Sequence, residues 1–280
     1  MSQSQHVLAC IDGSEISTAI CDYAAWISQR LNAPLKLLHT LEHQEKPASF
    51  DLTGSIGLGS QEHLLEELTT IEQQRSKLLK KKGQLILDAA KERVQQAGIN
   101  DCGSLQRHGS ITESLIDLED ETRMAVLGLR NEPEAKISTH LEMMVRAIHR
   151  PILLVNGIFE APKTIMLAYD GSDAANKAVD MVATSPLYKG LNCHLVCVSD
   201  NAADLLQIAS KKLEACTDIN LTVSALTGKA DIELCAYQET NNIDLTVMGA
   251  FSHTRLREML LGSFTEKMLT HSKKPVLLLR

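Results

Sequence analysis

No stretch of this 280-residue chain approaches the roughly 18 consecutive apolar residues that a membrane span requires. A spanning protein is therefore not expected, and hydrophobic and charged fractions of 44% and 22% fit a soluble globular chain. Positive charge is also scarce. A net charge of −7 leaves no excess of Lys and Arg for a polyanion, so a nucleic-acid partner is not expected either. The one basic run, Lys80-Lys81-Lys82, lies among Glu and Gln residues of a helical stretch and reads as a solvated face. The polar start, residues 1–6, runs straight into an apolar strand, without the charged head, apolar middle and small-residue cleavage site of a secretory signal. A cytoplasmic location is the expectation. The seven cysteines, an odd number scattered at positions 10, 21, 102, 193, 197, 216 and 235, read as small core residues of a reducing compartment.

Familiar catalytic and metal constellations are missing as well. No serine sits in a Gly-x-Ser-x-Gly elbow, and no histidine has a recognisable nucleophile partner. Gly228-Lys229 resembles the end of a phosphate loop, but Val223 stands where its first glycine belongs and Ala230 where a magnesium-binding hydroxyl belongs. Cys193-His194-Leu195-Val196-Cys197 lacks a second ligand pair and reads as a buried strand, so no structural metal is expected. The glycines of the 54–59 tract follow no apolar strand, so the tract reads as a flexible loop. With no general base or catalytic residue identifiable, the chain is not expected to be an enzyme.

What is present is a repeat. At 280 residues the chain is about twice the usual size of one domain. Val7-Leu8-Ala9-Cys10-Ile11-Asp12-Gly13-Ser14 matches Ile165-Met166-Leu167-Ala168-Tyr169-Asp170-Gly171-Ser172 at an offset of 158. Val126-Leu127-Gly128 matches Val247-Met248-Gly249 at 121, and Pro151-Ile152-Leu153-Leu154-Val155 matches Pro275-Val276-Leu277-Leu278-Leu279 at 124. The order is the same in both copies, which places one domain at 1–157, another at 162–280, and a linker at about 156–163.

Each copy alternates strands and helices. Residues 6–11 form a continuous apolar run, as in a strand covered on both faces. Ile16, Ile20, Tyr23, Ile27 and Leu31 then fall along one side of a helix. A strand at 35–38, a helical segment at about 61–97, a weak strand at 104–107, a helix at 112–121, a strand at 125–128, a helix at 139–148 and a strand at 151–155 complete the first copy. The fold class is α/β: two tandem, doubly wound, parallel five-stranded sheets. The copies differ in a polar stretch at 42–60 and the long helix after it, where the second has only a shorter helix at about 201–216.

In open α/β sheets ligands bind beyond the carboxyl ends of the strands. In the second copy those ends carry Tyr169-Asp170-Gly171-Ser172, Val198, and Met248-Gly249. Gly262-Ser263 then opens a helix, with Ser263 and Glu266 spaced as a capping box. Amides at a helix start suit an anion, and Gly249 and Gly262 leave room for its close approach. His253, Arg255 and Arg257 make the intervening loop cationic, and Asp170 is placed to accept ribose hydroxyls. The same glycines also fit a plain tight turn and a capped helix, and both readings stand at this point.

A strand ending in Asp-Gly-Ser, a fourth strand ending in Met-Gly, a loop, Gly-Ser, a helix and a final Pro-Val-Leu-Leu strand resemble the universal stress protein family, twice over. That resemblance implies the adenine nucleotide alpha hydrolase-like fold, with the last strands of the two copies paired antiparallel in an intramolecular pseudo-dimer. It is compatible with a further homodimer. It also implies a stress-response role and an adenine nucleotide such as ATP as cofactor, with magnesium as a candidate companion. The candidate site is then Tyr169, Asp170, Val198, Met248, Gly249, Ser252, His253, Gly262, Ser263 and Phe264: ribose at Asp170, adenine at the Val198 backbone, and phosphates at the amides around Ser252, Gly262, Ser263 and Phe264.

The spacing of nucleotide-binding members (glycine, two residues, glycine, nine residues, glycine with Ser or Thr) is kept, except that Ser252 replaces the second glycine. A positive φ at serine costs about 1–2 kcal/mol, or roughly tenfold in affinity. In the first copy Thr139 and Glu142 repeat the capping spacing, but the loop after Gly128 is three residues shorter, Ser138 replaces glycine, and Glu132 and Glu134 add negative charge. No nucleotide is expected there. An interaction protein working through the first-copy insert is the alternative reading.

Overall fold

The structure, a computed structural model, describes residues 5–41, 58–129, 139–216, 218–250 and 263–280. The first half runs β1 (His6–Cys10), α1 (Ser17–Leu31), β2 (Leu35–Leu41), α2 (Leu58–Gln96), β3 (Cys102–His108), α3 (Ile111–Asp117), β4 (Thr122–Gly128), α4 (Thr139–Ala147) and β5 (Ile152–Val155). The second runs β6 (Thr164–Ala168), α5 (Asp173–Thr184), β7 (Asn192–Val198), α6 (Ala202–Glu214), β8 (Asn220–Leu226), α7 (Ala230–Thr240), β9 (Leu245–Gly249), α8 (Ser263–His271) and β10 (Val276–Leu279).

All ten strands form one sheet, in the order β3-β2-β1-β4-β5-β10-β9-β6-β7-β8. Neighbours within each half are parallel, as helical crossovers require. The halves join where β5 and β10 pair antiparallel, Leu153 opposite Leu277, which is the pseudo-dimer the resemblance implied. Successive side chains of a strand point to opposite faces, and each face has its own core layer. Val7, Ala9, Leu153 and Leu277 belong to one layer, while Leu8, Cys10, Leu154 and Val276 belong to the other. That is why these strands read as unbroken apolar runs. Both layers continue across the β5–β10 seam.

The connection between halves is pinned. The Asn156 side-chain amide donates to the carbonyls of Ser272 (2.5 Å) and Lys274 (3.0 Å), and Asp244 Oδ2 accepts from the amides of Lys163 and Thr164 at 2.9 Å each. Phe159 packs edge-on against Tyr23 of α1, ring centroids 4.8 Å apart.

Several sequence-based bounds shift. The helix expected at 112–121 ends at Asp117, and a 3-10 turn over Glu119–Glu121 precedes β4, which starts at Thr122. β2 extends to Leu41 and pairs over seven residues with β3, the strand expected only weakly. β3 and β8 are the edge strands, so much of their surface is exposed and their apolar signal is faint. Of the 54–59 tract read as a loop, Leu58 and Gly59 belong to α2, and the remainder lies outside the described residues.

Candidate functional site

The repeated Asp-Gly-Ser is first a folding device. Gly171 takes φ +77°, a conformation that L side chains rarely adopt. Asp170 Oδ1 accepts from the Ser172 amide at 3.0 Å, and the buried Ser172 hydroxyl caps α5 by accepting from the Ala175 amide at 3.1 Å. In the first half Gly13 has φ +79°, but Asp12 is held more tightly. Its Oδ1 accepts from the Ser14 amide (3.0 Å), the Ser14 hydroxyl (2.5 Å) and the Ser17 hydroxyl (3.2 Å). Ala175 stands at the place of Ser17, so no such hydroxyl reaches the exposed Asp170 from there.

The sheet register brings the strand ends together. Ala168 pairs with Val196 and Leu167 with Val247. Continuing those ladders puts Asp170 level with Val198 on one side and Ala250 on the other. Strands about 4.8 Å apart therefore flank Asp170 with Val198 and the Gly249–Ala250 segment. Met248 and Tyr169 lie two residues and one residue before this level, and their side chains belong to the core. Tyr169 is buried, with its hydroxyl donating to Asn176 Oδ1 at 2.8 Å, and Met248 is 1% exposed. Only their main chains face the strand ends. Burial first, then the charge of Asp170, pushes the Tyr169 phenol and the Cys197 thiol upward. Neither group is poised as a base near neutrality.

Gly249 has a packing reason that spacing alone does not reveal. A Cβ there would stand 2.8 Å from Ala174 Cβ on α5, so the bare backbone lets helix and strand approach. Gly128 is placed alike, 2.7 Å from Ile16 Cγ2 and 3.1 Å from Ile20 Cδ1. The missing side chain of Gly249, expected from the sequence to leave room for an anion, points at α5.

Helices α4 and α8 begin at Thr139 and Ser263 themselves. The residues that precede these starts, 130–138 and 251–262, lie outside the described residues. Glu142 pairs with Arg146 one turn on, at 2.9 Å. Phe264 packs half-buried against the core layer that contains Met268. Ser252, His253 and Gly262 lie outside the described residues. A residue not expected from the sequence ties the two sides of this loop together: the buried Thr265 hydroxyl donates to the Ala250 carbonyl at 2.8 Å. Its position two residues after Ser263 was the available signal. The offset of 158 likewise pairs Ile16 with Ala174.

A cavity of about 570 Å³ opens elsewhere, between α1 and α2, with Gly13, Ser17, Cys21, Ile86 and Arg93 in its wall. None of the expected site residues lines it. The 251–262 segment, which joins β9 to α8, is outside the described residues.

The family's sequence profile matches residues 3–137 and 199–280 under the description Universal stress protein family. The chain belongs to the universal stress protein family. A universal stress protein of Synechocystis is 33% identical over 286 aligned positions, spanning 99% of this chain and all of that protein. This chain is thus similar end to end to another universal stress protein. Among solved structures, a universal stress protein from Archaeoglobus fulgidus aligns over 99% of both chains with a TM-score of 0.74 at 19% identity. A Pseudomonas aeruginosa protein aligns over 99% of this chain and 93% of its own, with a TM-score of 0.59 at 14% identity. These two likenesses concern the fold.

Proposed function

We propose that this universal stress protein binds ATP or a related adenine nucleotide, with or without magnesium, in a second domain spanning 162–280. It would act as a nucleotide-dependent regulatory module and not as an enzyme. The first domain, 1–157, would serve as its structural partner without a nucleotide.

The contrast between the two aspartates carries this reading. Asp170 is exposed and accepts one amide of its own turn, leaving acceptor capacity for a ribose, whereas two hydroxyls and an amide engage Asp12. Side-chain size agrees with it. Ile16 and Ile20 cover the end of β4, while Ala174 and Ala178 take the corresponding places beside β9. The Asp170–Val198–Ala250 level would then receive ribose and adenine, with phosphates at the start of α8.

Calorimetry and thermal unfolding with ATP test the proposal. Ligand at 100 times its dissociation constant stabilises a fold by roughly 2.7 kcal/mol. Gly262→Asp should remove that shift and leave the ligand-free melting temperature unchanged. No shift at millimolar ATP would rule the proposal out. A second reading, an interaction protein acting through the first-domain insert, is favoured by one observation: Ile71, Leu78 and Leu85 of α2 are 59%, 68% and 61% exposed.

A further inference from the structure

Helix α2 has 39 residues, about 58 Å of helix, and among residues 67–96 the buried ones begin at Gly83. Gly83, Leu87, Ala90 and Val94 are buried against the sheet, and none of residues 67–82 is buried. Helices in proteins owe most of their stability to packing an apolar face, and residues 67–82 bury none of theirs within this chain. Its exposed Ile71, Leu78 and Leu85 recur every seven residues, the spacing of a seam between paired helices. Between the first two runs a groove of about 520 Å³, walled by Ile71, Gln74, Arg75, Leu78, Leu79 and Lys82.

Charge selects the occupant. The segment is acidic at its start, with Glu67 and Glu72, and basic afterwards, with Arg75, Lys77, Lys80, Lys81 and Lys82. Two copies side by side in parallel would stack like charges along their length. Antiparallel about the Gln74–Arg75 bond, Ile71 faces Leu78 of the second copy, Glu72 faces its Lys77, and Glu67 faces its Lys82. The Ile71–Leu78 contact and both charge pairs coincide in this register. We propose that α2 is a homodimerisation element, through which two copies of this chain associate by antiparallel pairing of residues 67–82. The seam is short, near the low end of specific interfaces, so dissociation constants in the micromolar range are expected. The proposal is independent of nucleotide.

Sedimentation equilibrium of the full chain, from about 1 to 200 μM, should show a monomer–dimer equilibrium. Leu78→Glu, at an exposed position, should weaken it at least tenfold. A chain with Lys77→Glu and Lys82→Glu should be monomeric alone, as should one with Glu67→Lys and Glu72→Lys, and an equimolar mixture should restore the dimer. Three results would overturn the proposal: a monomer throughout the range, a dimer indifferent to Leu78→Glu, or no recovery in the mixture.

Discussion

Ile16 lies directly over the bare α-carbon of Gly128: a Cβ at that glycine would stand 2.7 Å from Ile16 Cγ2. The corresponding contact in the second half is Ala174 over Gly249, at 2.8 Å. A glycine at the end of the strand beside β1 or β6 is thus needed for helix packing in both halves. This explains how Gly128 persists in a half whose loop lacks the phosphate spacing.

Gly128→Ala should therefore destabilise the protein by about 1–3 kcal/mol, the range for overpacking a close contact. Ile16→Ala should recover part of that loss in the double variant, as coupled neighbours do. Urea unfolding measures both. If Gly128→Ala is as stable as the parent, the packing account fails.

Thr265→Val removes the hydroxyl that meets the Ala250 carbonyl and leaves a buried acceptor unsatisfied. A cost of about 1–3 kcal/mol is expected, with Thr265→Ser close to the parent. Equal losses for both variants in denaturant unfolding would show that the methyl group, and not the hydrogen bond, matters.

Asp170→Asn keeps an acceptor for the Ser172 amide but removes the charge. Under the proposed ribose contact it should raise the dissociation constant for ATP roughly tenfold or more, the worth of a charge-assisted bond. Affinity for an ATP analogue lacking both ribose hydroxyls should not change. Calorimetry with the two ligands decides, and an equal loss for both would place ribose elsewhere.

Acid should weaken the fold through the buried His6 and the half-buried His194. Burial lowers the pKa of His6 from 6.5, Lys36 lowers it further, and Glu121 opposes them; burial alone lowers that of His194. The unfolded chain therefore binds protons first. Stability is fully present above about pH 6.5 and is lost as pH falls from there through the folded-state values. Among the described residues His6 Nε2 has no partner, so His6→Leu should cost little at pH 8 and should flatten the decline below pH 6.5. Melting temperatures at pH 8, 6.5 and 5 provide the test.

The unbroken apolar runs of β1, β5, β6 and β10 were legible because both faces of those strands are buried, and the repeat offsets made the two halves explicit. β3 and β8 were faint because an edge strand needs less apolar surface. Tyr169 and Met248 fell on the expected strand ends, but the period of two that turns their side chains into the core acts through the sheet register, which no motif states.

The sequence by itself determined the α/β class, the tandem repeat, the family resemblance and the unequal loops after Gly128 and Gly249, because these depend on residue order and local periodicity. Tertiary structure alone decided that Gly249 faces Ala174, that Thr265 holds Ala250, and that Ser14 and Ser17 occupy Asp12 while Asp170 remains accessible. Those outcomes depend on the distance between a helix and a strand remote in sequence, and close packing sets that distance.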